Sequence, residues 1–274
     1  MIRKLLNNKM FLFSSITLLP VIAVALIGPL IAPHNPLELN PEKVLEKSLP
    51  AHPLGTDEYG RDILSRLIHG IRPTMLVAIG ATSIALAGGV FFGIIAGYIK
   101  GFTEKIVMRV MDIVLCFPPI LLALLVVGFW GAGVTNLVLI MGVLYIPYFA
   151  RITHSATLQV KNQEFVQSEL SLGASHFRVI RKSILPNITS PLIIQISLTF
   201  AATILLESGL SFLGLGVTPP EPSWGQMIGE ARGYIYTNPL YVIWPSLCLG
   251  LTMLAVNLMG DSLRDVLDPK LKAK

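Results

Sequence analysis

Six long apolar runs constrain this 274-residue chain more than any other feature. They are roughly Phe11–Ala32, Met75–Ile99, Val110–Trp130, Val134–Ala150, Ile188–Leu213 and Leu240–Gly260, the fourth extending to about Thr153. A helix needs about 20 apolar residues to cross a hydrocarbon core. In lipid, every backbone N–H and C=O must be satisfied within the segment, which leaves helices as the spanning element for runs of this length. Composition agrees, with 53% of residues hydrophobic and 14% charged; an ordinary soluble domain carries about 25% charge. The predicted fold class is therefore an all-α polytopic membrane protein with six transmembrane helices. Disorder, collagen and coiled coil need other compositions. Cys116 and Cys248 both sit in apolar runs, so no disulfide framework is indicated.

The first run starts after Arg3, Lys4 and Lys9, as a signal peptide does. It is longer than a signal h-region and offers no small-residue cleavage site between Pro29 and Pro36, so it reads as an uncleaved span. Placing the N-terminus in the cytoplasm puts fifteen Lys and Arg residues inside and six outside. The acids lean the other way, giving about +8 inside and −2 outside, with Glu207 within a run. That asymmetry predicts cytoplasmic N- and C-termini. The net charge of +5 is then a topology signal, and nucleic acid is not an expected partner.

Three stretches are long enough to do something other than span. In 33–74, an early proline-rich loop gives way to Ile63, Leu64, Leu67, Ile68 and Ile71 at helical spacing. This predicts a short amphipathic helix at the interface before the second span, capped by Thr56 or Asp57. In 161–187, Val166, Leu170, Gly173 with Ala174, Phe177, Ile180 and Ile184 form one apolar stripe, while Arg178, Arg181 and Lys182 lie off it. Two readings stay open for this helix: docking of a cytoplasmic partner, or rest on lipid headgroups. The third stretch, 211–238, is rich in Gly and Pro around Trp224, and it either contacts an outer partner or anchors Trp224 at the headgroups.

Chemistry is sparse. No G-x-x-x-x-G-K-[ST] loop, H-E-x-x-H, C-x-x-C or nucleophile elbow occurs. The chain reads as a non-enzyme with no catalytic residue, metal site or cofactor of its own. The five histidines are scattered over loops on opposite sides. Gly88, Gly89, Gly93 and Gly97 form a small-residue stripe suited to close helix packing. Ionisable residues in spans mark pathways or partner contacts. Glu207 is the clearest case here, with Asp112, Asn257 and Asp261 weaker.

Three motifs carry a resemblance. Leu54-Gly55-Thr56-Asp57-Glu58-Tyr59-Gly60-Arg61-Asp62 with Ser65-Arg66 resembles the signature before the second span in permease subunits of the dipeptide, oligopeptide and nickel ABC importers. Ser211-Phe212-Leu213-Gly214-Leu215-Gly216, then Pro219-Pro220, Pro222 and Trp224-Gly225, resembles that branch's outer loop. Gly260-Asp261-Ser262-Leu263-Arg264-Asp265 with Asp268-Pro269 resembles its C-terminal ending. The cytoplasmic helix is then similar to the coupling loop, E-A-A-x₃-G-x₉-I-x-L-P. Gln167-Ser168-Glu169 stand at its first three positions, Gly173 and Leu185-Pro186 match, and Ser183 replaces the usual Ile or His.

The resemblance implies the type I importer permease (MetI-like) fold in one domain, 1–274. It comprises a first span at 11–32, an outer loop with amphipathic helix at 33–74, and a five-span core at 75–274 with a coupling helix at about 163–186. It implies Phe165, Gln167, Glu169, Leu172, Gly173, Ala174, Phe177, Ile180, Leu185 and Pro186 as the ATPase-coupling residues. Glu207 and Asn257 become candidates for the pathway or for contact with a partner permease. Asp57, Arg61, Asp62, Pro220 and Trp224 become candidate outer-loop contacts. The implied partners are a homologous second permease, two cytoplasmic ABC ATPases holding ATP and Mg, an extracytoplasmic substrate-binding protein and the bilayer, in the cell membrane of a prokaryote. The implied solute is a di- or oligopeptide or a related small molecule such as a nickel chelate. A self-sufficient secondary transporter with Glu207 as its ion site is the alternative; no internal repeat supports it.

Overall fold

The structure, a computed structural model, describes residues 8–267. Asp268, Pro269, Arg3, Lys4 and the three C-terminal lysines lie outside the described residues. Five helices are long and apolar enough to cross a membrane. These are α1 (Lys9–Ile31), α2 (Ile63–Ile99), α5 (Val134–Lys161), α9 (Thr189–Phe212) and α11 (Pro239–Leu267). A further apolar stretch is a bent pair, α3 (Phe102–Leu115) and α4 (Pro119–Trp130), which together are apolar enough to form a broken span or a re-entrant loop. Short helices fill the connections: α6 (Glu164–Ser171), α7 (His176–Val179), α8 (Leu185–Asn187) and α10 (Trp224–Ala231). No strand occurs among the described residues.

Most helix ends lie within a few residues of the apolar runs, but α2 begins twelve residues before Met75 and α5 continues to Lys161, past the predicted Thr153. Two expectations fail. The third run is not one straight span, because α3 and α4 meet at 85°. Pro118 and Pro119 follow Phe117, and a proline lacks the N–H that continues a helix and pushes the preceding residue out of helical conformation. At 12 residues, α4 is about 18 Å long and cannot cross the core alone.

The second failure concerns residues 57–74. They do not form a separate interfacial helix. From Ile63 onward they are the first turns of α2, which runs on through Pro73 without a break. Its N-cap is Asp62 rather than Thr56 or Asp57: the carboxylate accepts from Ser65 N at 2.8 Å and from Ser65 Oγ at 2.7 Å. With 37 residues α2 is about 55 Å long, well beyond the roughly 30 Å hydrocarbon core, so it protrudes from the membrane.

The glycine stripe brings α2 and α5 together as the most extensive helix pair. Gly89, Gly93 and Gly97 lie against Phe149, Ala150, Thr153, His154 and Thr157 of α5. A Cβ on Gly93 would stand 2.6 Å from the Ala150 carbonyl oxygen, and one on Gly97 would stand 2.9 Å from that of His154. Val77, Ala81, Ala85, Leu137, Met141 and Phe149 complete one buried core. Ile63, Leu67, Ile204, Trp224, Met227 and Tyr241 form a second, where α10 is wedged beneath the loop end of α2. Outward, α1 shows apolar side chains such as Leu26 and Leu30, 77% and 87% exposed, which face lipid in a membrane.

Gly93→Val should cost at least about 1–3 kcal/mol through forced separation of α2 from α5. Gly128→Ala on α4, where nothing lies within 4 Å of the added methyl, should be tolerated. Thermal aggregation midpoints of the detergent-solubilised variants test the contrast; equal midpoints would rule out the close-packing account.

Candidate functional site

The stretch predicted as one coupling helix is a helical hairpin. α6 ends at Ser171, and Gly173 adopts φ +82°. The Ala174 N–H reaches the Glu169 carbonyl and the Gly173 N–H reaches the Leu170 carbonyl, both at 3.0 Å. This pattern closes a helix with glycine in the left-handed region. The chain then reverses into α7, a wider i→i+5 turn over Ile180–Ile184, and α8. The wide turn precedes Pro186, whose missing N–H leaves a carbonyl unserved.

The turn resets the helical phase, so the predicted single stripe does not survive. Val166, Val179 and Ile184 are fully buried against the spans, with Leu170, Ala174, Ile180 and Leu185 partly so. Phe177 leaves that face: it is 73% exposed, and Leu172 at the tip is 88% exposed. Phe165, Gln167, Gly173 and Pro186 are also exposed. Beside the tip lies a cleft lined by Glu169, Leu172, Gly173, Ala174, Arg178 and Lys182. The tip is thus apolar, with one acid and two cations beside it.

The two departures from the coupling-loop pattern meet each other. Ser183 Oγ donates to both Glu169 carboxylate oxygens, at 2.9 and 2.7 Å, tying the arms of the hairpin together. The hairpin is also tied to the spans. The Tyr98 hydroxyl and His176 Nδ1 are hydrogen-bonded at 2.6 Å, and Lys161 Nζ donates to the Tyr98 carbonyl at 2.6 Å. Tyr98 and His176 are 78 residues apart, and no local pattern marks them as partners.

At the opposite end, the loop motif packs inward. Asp57 is completely buried; its Oδ2 takes Arg61 Nε at 2.6 Å and lies 3.3 Å from Arg66 Nε. Arg66 Nη2 donates to Glu230 Oε2 at 2.8 Å, and Arg61 Nη2 reaches the same oxygen at 3.3 Å. The Tyr241 hydroxyl donates to Glu58 Oε2 at 2.7 Å. Three carboxylates and two guanidinium groups thus join the loop to α2, α10 and α11. Burial, opposed by the Tyr241 hydrogen bond, pushes the Glu58 carboxyl above its ordinary range. Burial also works against the Arg61 charge, but Asp57, Glu230 and Glu58 hold its affinity for a proton above the usual value.

Several candidate contacts are accordingly corrected. Asp57 and Arg61 are buried in this latch, and Asp62 is buried as the N-cap of α2 and beside His52. Trp224 is 1% exposed, with its indole N–H donating to the Leu67 carbonyl at 3.1 Å; it is a core residue, not an interfacial anchor. Pro220 alone of that set is exposed. Glu207 is fully buried within the chain, accepting from Ser211 Oγ at 2.7 Å and Ser208 Oγ at 3.4 Å. Asn257 is half-buried on α11, and its Oδ1 has no partner among the described residues. Nor are all histidines scattered. His34 and His52 have ring centroids 4.7 Å apart, and His52 Nδ1 lies 3.0 Å from Asp62 Oδ1. Lys43 Nζ stands 3.5 Å from His52 Nε2, where a metal ion would be repelled.

Comparison with known proteins decides what carries this hairpin. Residues 89–273 match the profile of the binding-protein-dependent transport system inner membrane component, and residues 1–50 match the N-terminal transmembrane domain of oligopeptide transport permease C. The chain belongs to the binding-protein-dependent transport system inner membrane component family. It is 40% identical to the di/tripeptide transport system permease protein of Pseudomonas aeruginosa, over 97% of this chain and 90% of that one. It is 37% identical to the glutathione transport system permease protein of Pectobacterium atrosepticum, over 99% and 90%. An inward-facing structure of the MetNI methionine ABC transporter superposes with a TM-score of 0.64 at 18% identity, over 74% of this chain and 96% of that one, which establishes the type I importer permease fold. The chain is thus a multi-pass permease subunit of an ABC importer, and its family works with a binding protein and an ATPase.

Two expected outcomes follow for the permease. Ser183→Ala and Glu169→Gln should each raise hydrogen exchange across 164–187, and the double variant should add little to either; full additivity would mean the two side chains act independently. The raised Glu58 binds its proton more tightly folded than unfolded. The contribution of Glu58 is then fully present below the ordinary carboxylate value of 4.5 and is lost as pH rises through the higher folded value. Exchange rates of the 55–62 amides should climb with pH beyond the intrinsic amide dependence, and Glu58→Gln should flatten that excess.

Proposed function

We propose that this permease forms half of a translocation pathway for short peptides, and that the hairpin at 164–187 is where an ATPase subunit docks. One observation carries the docking half: Leu172 and Phe177 stand exposed at the tip of a hairpin whose other face is fixed to α2 and α5. Exposed apolar side chains on a rigid support mark an interaction site. The peptide half is supported by the relatives, a di/tripeptide and a glutathione transport permease, which resemble the chain over nearly its full length. Glutathione is itself a peptide, so both fall in one chemical class.

In this reading the pathway is completed by a homologous second permease. Two cytoplasmic ATPases hold ATP and Mg, and an extracytoplasmic binding protein delivers the solute. ATP binding contributes only through differential contacts with the two states of the assembly. The hairpin supplies the place where those contacts are made. Arg178 and Lys182 beside the tip favour an acidic rim on the ATPase groove. Asn257, with its unpartnered amide oxygen, is the remaining candidate for the pathway or the partner permease. In the same reading the hairpin and both termini are cytoplasmic, in line with the excess of Lys and Arg on that side.

Phe177→Asp should reduce peptide uptake by the assembled importer at least tenfold while the permease still reaches the membrane. Leu172→Asp should act in the same direction, and Phe177→Leu should retain most uptake. Proteoliposome uptake of labelled dipeptide, with pull-down of the ATPase, measures both. Normal uptake and normal ATPase retention in Phe177→Asp would overturn the docking assignment.

A further inference from the structure

The bend between α3 and α4 leaves backbone groups without hydrogen bonds. Cys116, Phe117 and Pro118 lie outside both helices, and all three are exposed. The N–H groups of Cys116 and Phe117 are bonded back to the Asp112 and Val114 carbonyls, at 3.1 and 3.4 Å. Pro118 and Pro119 have no N–H. The carbonyls of Cys116 and Phe117 accept no hydrogen bond among the described residues. The stretch therefore presents free acceptors and no free donor.

Its depth follows from contacts along α5. Glu104, near the start of α3, pairs with His154 at 2.8 Å. The Trp130 carbonyl, at the end of α4, accepts from Asn136 Nδ2 at 3.0 Å. Between these points, Val110, Met111 and Val114 line one apolar groove with Val143, Ile146 and Pro147. Val143 stands midway along the apolar run of α5, 134–153. The pair thus follows α5 from one end of that run to the other and bends beside its middle. Hydrocarbon holds no donor for a carbonyl. Irregular backbone occurs at membrane depth only where protein buries it or where it lines a water-filled cavity. Within this subunit nothing buries it, since Phe117 is 53% exposed. A second permease would present spanning helices, whose own N–H groups are already used within each helix. Water remains as the donor. We propose that the break at 116–118 lines the water-filled translocation pathway. Its free carbonyls accept from water in the empty pathway and from the ammonium and amide N–H groups of a peptide in passage. Those groups are common to all short peptides, so backbone acceptors serve solutes with different side chains. The two prolines hold the stretch out of helical conformation and keep the acceptors free. The assignment rests on the reading of this chain as half of a peptide pathway, and it names a segment that lines it.

The exposed thiol of Cys116 is a native reporter at the break and has no part in the site itself. A thiolate in water reacts with a charged methanethiosulfonate, whereas a thiol in hydrocarbon does not ionise. The test uses the assembled importer in proteoliposomes, with reagent on both faces and peptide mass mapping to separate Cys116 from Cys248. Cys116 should be modified about thirtyfold faster or more than Leu26→Cys on the outward face of α1, where Leu26 is 77% exposed. Modification should cut dipeptide uptake about fivefold or more, and saturating alanyl-alanine should slow it about threefold. In vesicles that take up dipeptide, Cys116 as slow as Leu26→Cys would overturn the assignment, whether lipid or the second permease covers the break. Modification that leaves uptake intact, or that is indifferent to alanyl-alanine, would overturn it too. Wild-type vesicles that take up no dipeptide would refute the peptide reading itself. Fast modification of Cys116 in those vesicles would still support a water-filled pathway at the break, and slow modification would overturn both.

Discussion

The close approach of α2 and α5 is the contact on which the rest of the permease depends. In lipid, apolar side chains gain nothing by hiding from their surroundings, so helices hold together through close packing and polar contacts. Gly89, Gly93 and Gly97 remove the side chains that would keep the two backbones apart. With α2 and α5 joined, their hairpin-side ends fall together, and Lys161 can reach the Tyr98 carbonyl. That places Tyr98 within reach of His176 and sets where the hairpin projects. The same pair forms the wall against which α3 rests.

At the loop end the fold relies on a different force. Asp57, Arg61 and Arg66 are buried almost completely, and burying charge is expensive unless each ion is paired and hydrogen-bonded. Asp57 meets that condition by accepting from the Tyr59 and Arg61 backbone N–H groups, both at 2.9 Å, as well as from Arg61 Nε. The network holds loop, α10 and α11 in one arrangement. Trp224 completes it from below by filling the space beneath α2 while keeping its N–H bonded.

What was readable in the linear chain divides along physical lines. Hydropathy located the long helices because the bilayer acts on every residue of a span alike. The break at Phe117–Pro119 was present in the letters, but an apolar window counts proline almost as any other residue and hides a bend. The continuity of Ile63–Thr74 with the second span was not readable, since an amphipathic segment and the protruding end of a long helix share one periodicity. The helical phase of Phe177 was lost for a similar reason: a stripe drawn across Gly173 assumes one helix where the backbone makes two. Pairings such as Arg66 with Glu230 or Glu169 with Ser183 come from the fold alone, because their partners are 164 and 14 residues away with no spacing rule to join them.

The length of α2 has a mechanical consequence. One unbroken helix carries Arg66 of the ionic latch near its start and Tyr98 of the hairpin anchorage at its end. It is a lever with a load point on each side of the membrane. Over about 55 Å, a tilt of only 5° displaces one end relative to the other by roughly 5 Å. Because the Gly face leaves no room between α2 and α5 for a joint, such a tilt moves both helices as one body. A tilt of α2 that moves the latch therefore also moves Tyr98 and the hairpin it holds.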